Sequence, residues 1–192
     1  MEKKTTDYMV LINGENRLPD NYEDTVELIS VQNSFGELHK VEKKTCEAFL
    51  RFQKDLLEND GIQIELISAY RTIQFQVDTY DRHMRDYGPE FTNKYVAKPY
   101  HSEHHTGIAI DVGLVAEGKL LRYSALREMD DIFQIIQAKL PQYGFILRYP
   151  KGKEPITKIA YECWHFRYLD SPEIAREITD KGWCFEEYWE NK

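Results

Sequence analysis

The chain has 192 residues and a mass of 22.8 kDa, room for one domain with an ordered N-terminal arm. A hydrophobic content of 42%, with thirteen Tyr, nine Phe and three Trp, supplies a core and argues against disorder. A net charge of −8 argues against nucleic acid as the natural partner, and no run of 18 apolar residues is present to span a membrane.

Residues 8–40 read as an extended arm, punctuated by Asn13-Gly14 and by Leu18-Pro19-Asp20-Asn21. A helical stripe over 41–59 runs through Val41, Thr45, Ala48, Phe49, Phe52 and Leu56, and Asn59-Asp60-Gly61 stops it. Ile62, Ile64 and Leu66 then alternate with polar residues as a strand does. A second helix is predicted over 73–87, ended by Gly88-Pro89, and a strand over 107–113. Met129, Ile132, Phe133, Ile136 and Leu140 mark a third helix, closed by Pro141 and Gly144. Strands at 145–149 and 163–168 flank a turn at 151–155, and Ser171 with Pro172 opens a last helix that ends near Gly182. Helices and strands mix without a βαβ rhythm. The fold class expected is therefore α+β, a small, mostly antiparallel sheet with helices packed on it, in a single domain over 1–192.

The Met1-Glu2-Lys3-Lys4-Thr5-Thr6-Asp7 start has no apolar stretch behind it and does not read as a secretory leader. Cys46, Cys163 and Cys184 are odd in number and lack a CxxC pair, which fits a reducing compartment. The expected location is cytoplasmic, or extracytoplasmic if an upstream leader has been lost.

The histidines carry the chemical signal. His101, His104 and His105 crowd just before the strand Gly107-Ile108-Ala109-Ile110-Asp111-Val112-Gly113. Alternation sends Ile108, Ile110 and Val112 to one face and Gly107, Ala109 and Asp111 to the other, leaving open space beside a carboxylate that needs a partner. On the later strand Cys163, His165 and Arg167 share a face opposite Trp164, Phe166 and Tyr168. Two His and one Asp with a free fourth position make a catalytic zinc site. Glu162 lies three residues before His165 and could take a proton there, which requires a bend, since strict alternation would put the two on opposite faces.

Three separated motifs complete the reading. Ser102-Glu103-His104-His105-Thr106-Gly107-Ile108-Ala109-Ile110-Asp111 fits SxHxxGxAxD, and Glu162-Cys163-Trp164-His165 fits an ExxH-type motif. Ser68-Ala69-Tyr70-Arg71-Thr72, with Gln76 beyond, fits an S/G-x-YR-S/T…Q element. Over about Leu11 to Tyr168 the chain resembles the zinc D-alanyl-D-alanine carboxypeptidases related to VanY, a group that includes VanXY-like dipeptidase/carboxypeptidases and LdcB-like L,D-carboxypeptidases. The resemblance implies one Zn2+ held on the sheet by His104, Asp111 and His165, with Glu162 as general base and Arg71 meeting negative charge or fixing substrate. It implies contacts from Gln76 and Ser102 to the terminal D-Ala, and from Tyr149 as a wall of the peptide site. In these terms residues 1–40 are an arm and 41–192 the catalytic core. The partner implied is a peptidoglycan-derived peptide whose terminal D-Ala is hydrolysed, or the dipeptide D-Ala-D-Ala. The alternatives are L,D-cleavage of a tetrapeptide stem, or a zinc-bearing wall-peptide binder without turnover. Cys163 stands where such proteins often have Pro, and His105 replaces an uncharged residue and offers a competing ligand.

Overall fold

The apolar alternation around Asp111 builds the centre of the sheet. The computed structural model describes residues 6–22 and 26–192; Met1 to Thr5, part of the expected arm and of the start read for a leader, lie outside the described residues. Among the described residues the first strands are β1 (Leu28–Gln32) and β2 (Leu38–Glu42), an antiparallel hairpin in register Leu28↔Glu42 to Gln32↔Leu38. The expected extended arm is thus folded back on itself over 28–42. The Asn33 side chain makes the turn by accepting from the backbone N–H groups of Phe35 and Glu37, each at 3.0 Å.

Helix α1 (Lys43–Asp55) follows directly, with Glu42 capping the Thr45 N–H, and a wider turn over Leu56–Asp60 carries it to Gly61. β3 (Ile64–Ser68) leads into α2 (Ile73–Tyr95). That helix is broken at Gly88, whose φ of 78° is not helical, and Pro89 opens a second segment as a first-turn residue. The predicted stop at Gly88-Pro89 is therefore real, but the chain resumes helix to Tyr95. Tyr80 reaches across the break to Asn93 Oδ1 at 2.7 Å.

β4 (Ala109–Ala116), β5 (Lys119–Leu121), α3 (Asp130–Lys139), β6 (Phe145–Leu147), the one-turn α4 (Glu154–Thr157) and β7 (His165–Tyr168) come next. α5 (Pro172–Asp180) and α6 (Phe185–Asn191) close the chain. Strands order as β3-β4-β7-β6, with β5 on the far end of β4, and every described pairing is antiparallel. One sheet face packs Leu66, Ile110, Val112 and Phe166 against Phe49 and Phe52 of α1 and Phe133 and Ile136 of α3. A second cluster, Ile146, Leu169, Ala175, Ile178 and Phe185, seats the two C-terminal helices. Among the described residues no helix is long and apolar enough to cross a membrane.

Gly107 joins a 3-10 turn over Glu103–Thr106 to β4 at φ 71°, a left-handed conformation that disfavours a side chain. A Cβ there would meet Leu28 Cδ2 at 2.7 Å and the Glu42 backbone N at 3.1 Å. Gly107→Ala is therefore expected to cost about 2–4 kcal/mol through left-handed backbone strain and overpacking. Urea unfolding checks it, and a loss under about 1 kcal/mol would show that the hairpin yields freely.

Candidate metal centre and active-site cleft

Strand register gathers the site. Ser68 on β3 pairs with Asp111 on β4, after an irregularity at Ile67, and Asp111 pairs with His165 on β7. Paired residues face the same side, so these three side chains lie in a row on the sheet face opposite the α1 core. The 3-10 turn before Gly107 swings His104 over that row. Its backbone C=O accepts from Arg71 N at 3.1 Å, which fastens the motif around Arg71 to the Ser102–Asp111 motif.

His104 Nδ1 stands 2.6 Å from the Ala69 carbonyl and donates its proton there, leaving Nε2 as a lone pair 3.3 Å from Asp111 Oδ1. His165 Nδ1 lies 3.0 Å from the same oxygen. The potential ligand atoms of His104, Asp111 and His165 all fall within 4.8 Å of one another, and all three residues are buried. Burial together with Arg71 pushes the His104 pKa down to about 4, so its imidazole is neutral at physiological pH. Burial opposes a charged His165, but Asp111 and Glu103 outweigh it and push its pKa up to about 9. Asp111, despite its burial, is held well below the usual carboxylate range by His104 and Arg71. One carboxylate, one neutral imidazole and one imidazole that carries a proton only because anions surround it make a pocket suited to a cation. The donor set, two nitrogens and an oxygen, fits zinc with an open position.

Glu162 meets the requirement its position imposed. Residues 163 and 164 form a turn, with His165 N donating to Glu162 O at 3.3 Å, so the strand begins only at His165. The turn puts Glu162 Oε2 3.7 Å from His165 Nδ1, with 12% of the side chain exposed to the cleft. Burial pushes its carboxyl up to about 7, against the pull of His165 and Arg71. The same turn corrects the expected placement of Cys163. It faces the core, its Sγ 3.7 Å from Leu126 O, and does not share the His165 face.

Arg71 Nη2 donates to Asp111 Oδ2 at 2.6 Å and Nε to Ser68 Oγ at 2.9 Å, while its side chain keeps 19% exposure to the cleft. Gln76, on the first turn of α2, is buried rather than solvated: Nε2 donates to Ala97 O at 2.7 Å, and Oε1 has no hydrogen-bond partner among the described residues. Ser102 and Tyr149 are buried beside the ligands, the Tyr149 ring centred 4.9 Å from that of His165. His105 offers no competing ligand atom. Its Nδ1 is 2.8 Å from Arg71 O and its Nε2 accepts from Tyr100 N at 3.3 Å. His101 is likewise engaged with Asn13 O, at 2.7 Å.

All eight predicted site residues line one cleft of about 640 Å³, in the range of small-molecule sites. Sequence reasoning missed its walls. Tyr123 and Trp164 meet edge to face. His83, Tyr87, Phe91 and Tyr95 form a ring ladder across the Gly88 break, with centroids 5.5, 4.8 and 4.6 Å apart. Their four-residue spacing was a legible signal, hidden because it crosses a glycine-proline stop.

Comparison with known proteins agrees with this geometry. The family model of VanY, D-alanyl-D-alanine carboxypeptidase, matches residues 38–171. The chain is 34% identical over 95% of its length to YodJ of Bacillus subtilis (strain 168), a carboxypeptidase by name, and covers 67% of that protein. It is 37% identical over 69% of its length to the bifunctional D-Ala-D-Ala dipeptidase and D-Ala-D-Ala carboxypeptidase VanXYC of Enterococcus gallinarum, again covering 67% of it. The chain thus spans about two thirds of either relative. Among solved structures, a mutant of the vancomycin resistance D,D-pentapeptidase VanY in complex with Zn(II) superposes with a TM-score of 0.79 at 27% identity, over 95% of this chain and 98% of that one. VanXYg, a vancomycin resistance D,D-dipeptidase bound to a D-Ala-D-Ala phosphinate analog, gives 0.81 at 30% identity, over 98% and 72%. The LdcB LD-carboxypeptidase gives 0.82 at 32% identity, over 95% and 86%. With the matched region enclosing His104, Asp111 and His165, the chain belongs to the VanY family of D-alanyl-D-alanine carboxypeptidases.

Proposed function

We propose that the chain, acting as a single domain, is a zinc-dependent D,D-peptidase that removes the terminal D-Ala from peptidoglycan stem peptides or cleaves D-Ala-D-Ala. The observation that carries the reading is the Glu162 turn, which sets a carboxyl of raised pKa beside the His104–Asp111–His165 group and facing the same cleft. His104, Asp111 and His165 would hold a zinc ion, which would supply Lewis-acid chemistry for attack of water on the scissile carbonyl. Glu162 accepts the proton of that water and passes it to the leaving amine, a role for which a carboxyl titrating near neutrality is suited. Arg71 has two tasks in this reading. It orients Asp111 through Oδ2, and its cleft-facing part meets negative charge developing on the substrate oxygen. Gln76 and Ser102, buried in the cleft, hold the terminal residue, and Tyr149 walls the peptide. The cytoplasm is the proposed compartment, supported by three buried, unpaired cysteines.

A second reading, L,D-cleavage of a tetrapeptide stem, is favoured by the likeness to LdcB. The deciding experiment incubates zinc-loaded protein with D-Ala-D-Ala, a pentapeptide stem and a tetrapeptide stem and measures free D-Ala. Release from the first two substrates is expected. Release from the tetrapeptide alone would move the assignment to L,D-cleavage, and no release from any would leave a wall-peptide binder.

A further inference from the structure

Glu103 sits inside the metal-binding motif, yet its side chain points away from the cleft. It is 1% exposed, and its Oε1 accepts from two buried arginines, Arg148 Nε and Arg167 Nη1, both at 2.7 Å. Its other oxygen, Oε2, lies 3.8 Å from His165 Nε2. Among the described residues, neither of these two buried atoms has a hydrogen-bond partner. Two orphans of complementary chemistry thus face each other across a gap one small shift from a hydrogen bond, behind a metal-ligand histidine.

The tautomer of His165 explains the pairing. Its Nδ1 faces Asp111 Oδ1, so a metal there takes the Nδ1 lone pair and the ring proton must sit on Nε2. A buried N–H needs an acceptor, and Glu103 Oε2 is the one that faces it. His104 solves the same problem with the Ala69 carbonyl on Nδ1, leaving Nε2 for the metal. We propose that Glu103 is a positioning residue for zinc: held by Arg148 and Arg167, it accepts the His165 Nε2 proton and so fixes the ring in its metal-binding tautomer and orientation. The inference rests on the ligand assignment under Proposed function.

The test compares Glu103→Gln with Glu186→Gln. Each removes one carboxylate from the same buried arginine network, but only Glu103 faces His165. In Glu103→Gln the amide oxygen stays with the arginines and the NH2 group turns to His165 Nε2, which then accepts and forces the proton onto Nδ1. Zinc affinity, read by chelator competition on folded protein, is expected to fall about 10–100-fold in Glu103→Gln. It should stay within twofold of the parent in Glu186→Gln. Unchanged affinity in Glu103→Gln, or equal loss in both variants, would overturn the proposal. Should Glu103→Gln not fold, the parent decides: a 15N–1H spectrum of zinc-loaded protein should show a slowly exchanging His165 Nε2–H. A His165 proton on Nδ1 would sink the idea. The parent's zinc stoichiometry and D-Ala release test the ligand assignment and the reaction separately.

Discussion

Glu162→Gln is expected to lose roughly 10²–10⁴ in kcat while still binding one zinc per chain. The substitution keeps the shape and burial of the side chain but removes its ability to take a proton. A loss of that size corresponds to about 3–5 kcal/mol of barrier. Retention of metal is expected because Glu162 lies outside the group formed by His104, Asp111 and His165. Uncharged Gln also avoids the burial penalty that holds the native carboxyl up near 7, so the variant should be at least as stable as the parent. The measurements are zinc content by metal analysis and the rate of D-Ala release. Near-native turnover with full zinc would remove Glu162 from the mechanism, whereas lost zinc would make it a ligand.

Arg148→Met should be the most damaging substitution away from the cleft, costing about 3–5 kcal/mol. Arg148 is fully buried and donates to Glu103 Oε1, to both oxygens of Glu186 and to Ile12 O. Methionine fills much of the volume but leaves Glu186, 6% exposed, without its cation. For a chain of this length the loss lowers Tm by on the order of 10 °C. The effect also depends on pH. Burial would raise the Glu186 carboxyl, but Arg148 outweighs it and holds the group below its usual range. Its contribution is therefore fully present above the unfolded carboxyl pKa of about 4.3 and is lost as pH falls through the folded value. The gap in stability between parent and variant, read from urea unfolding, should be wide at pH 7 and narrow below about pH 4. A gap under 1 kcal/mol at pH 7 would mean that the network stabilises little.

The elements that position His104, Asp111 and His165 were legible because they obey simple periods. Ile108, Ile110 and Val112 alternate against Ala109 and Asp111, and the α1 stripe repeats at helical spacing, so core and cleft faces separate on inspection. Glu162 was legible as a residue but not as a geometry, because the turn that rescues it uses Cys163 and Trp164, which read equally well as strand. Glu103, Arg148 and Arg167 were hidden for an energetic reason. Charged side chains are almost never fully buried unless paired, and their partners here lie 38 to 64 residues away in sequence. The hairpin β1–β2 and helix α6 were missed because each is short and takes its stability from docking.

The buried arginines carry a practical consequence for trimming the protein. Arg167 donates to the carbonyls of Tyr8 and Val10, Arg148 reaches Ile12 O and Glu186, and Asn13 bonds Glu186 in turn. First and last segments thus lock onto each other beside the candidate metal site. A fragment cut to the matched span of 38–171 keeps His104, Asp111 and His165 but discards the plugs at both ends, opening two guanidinium groups to incomplete pairing. A trimmed chain that keeps this network intact has to run from about Tyr8 through α6, beyond the borders that sequence similarity draws.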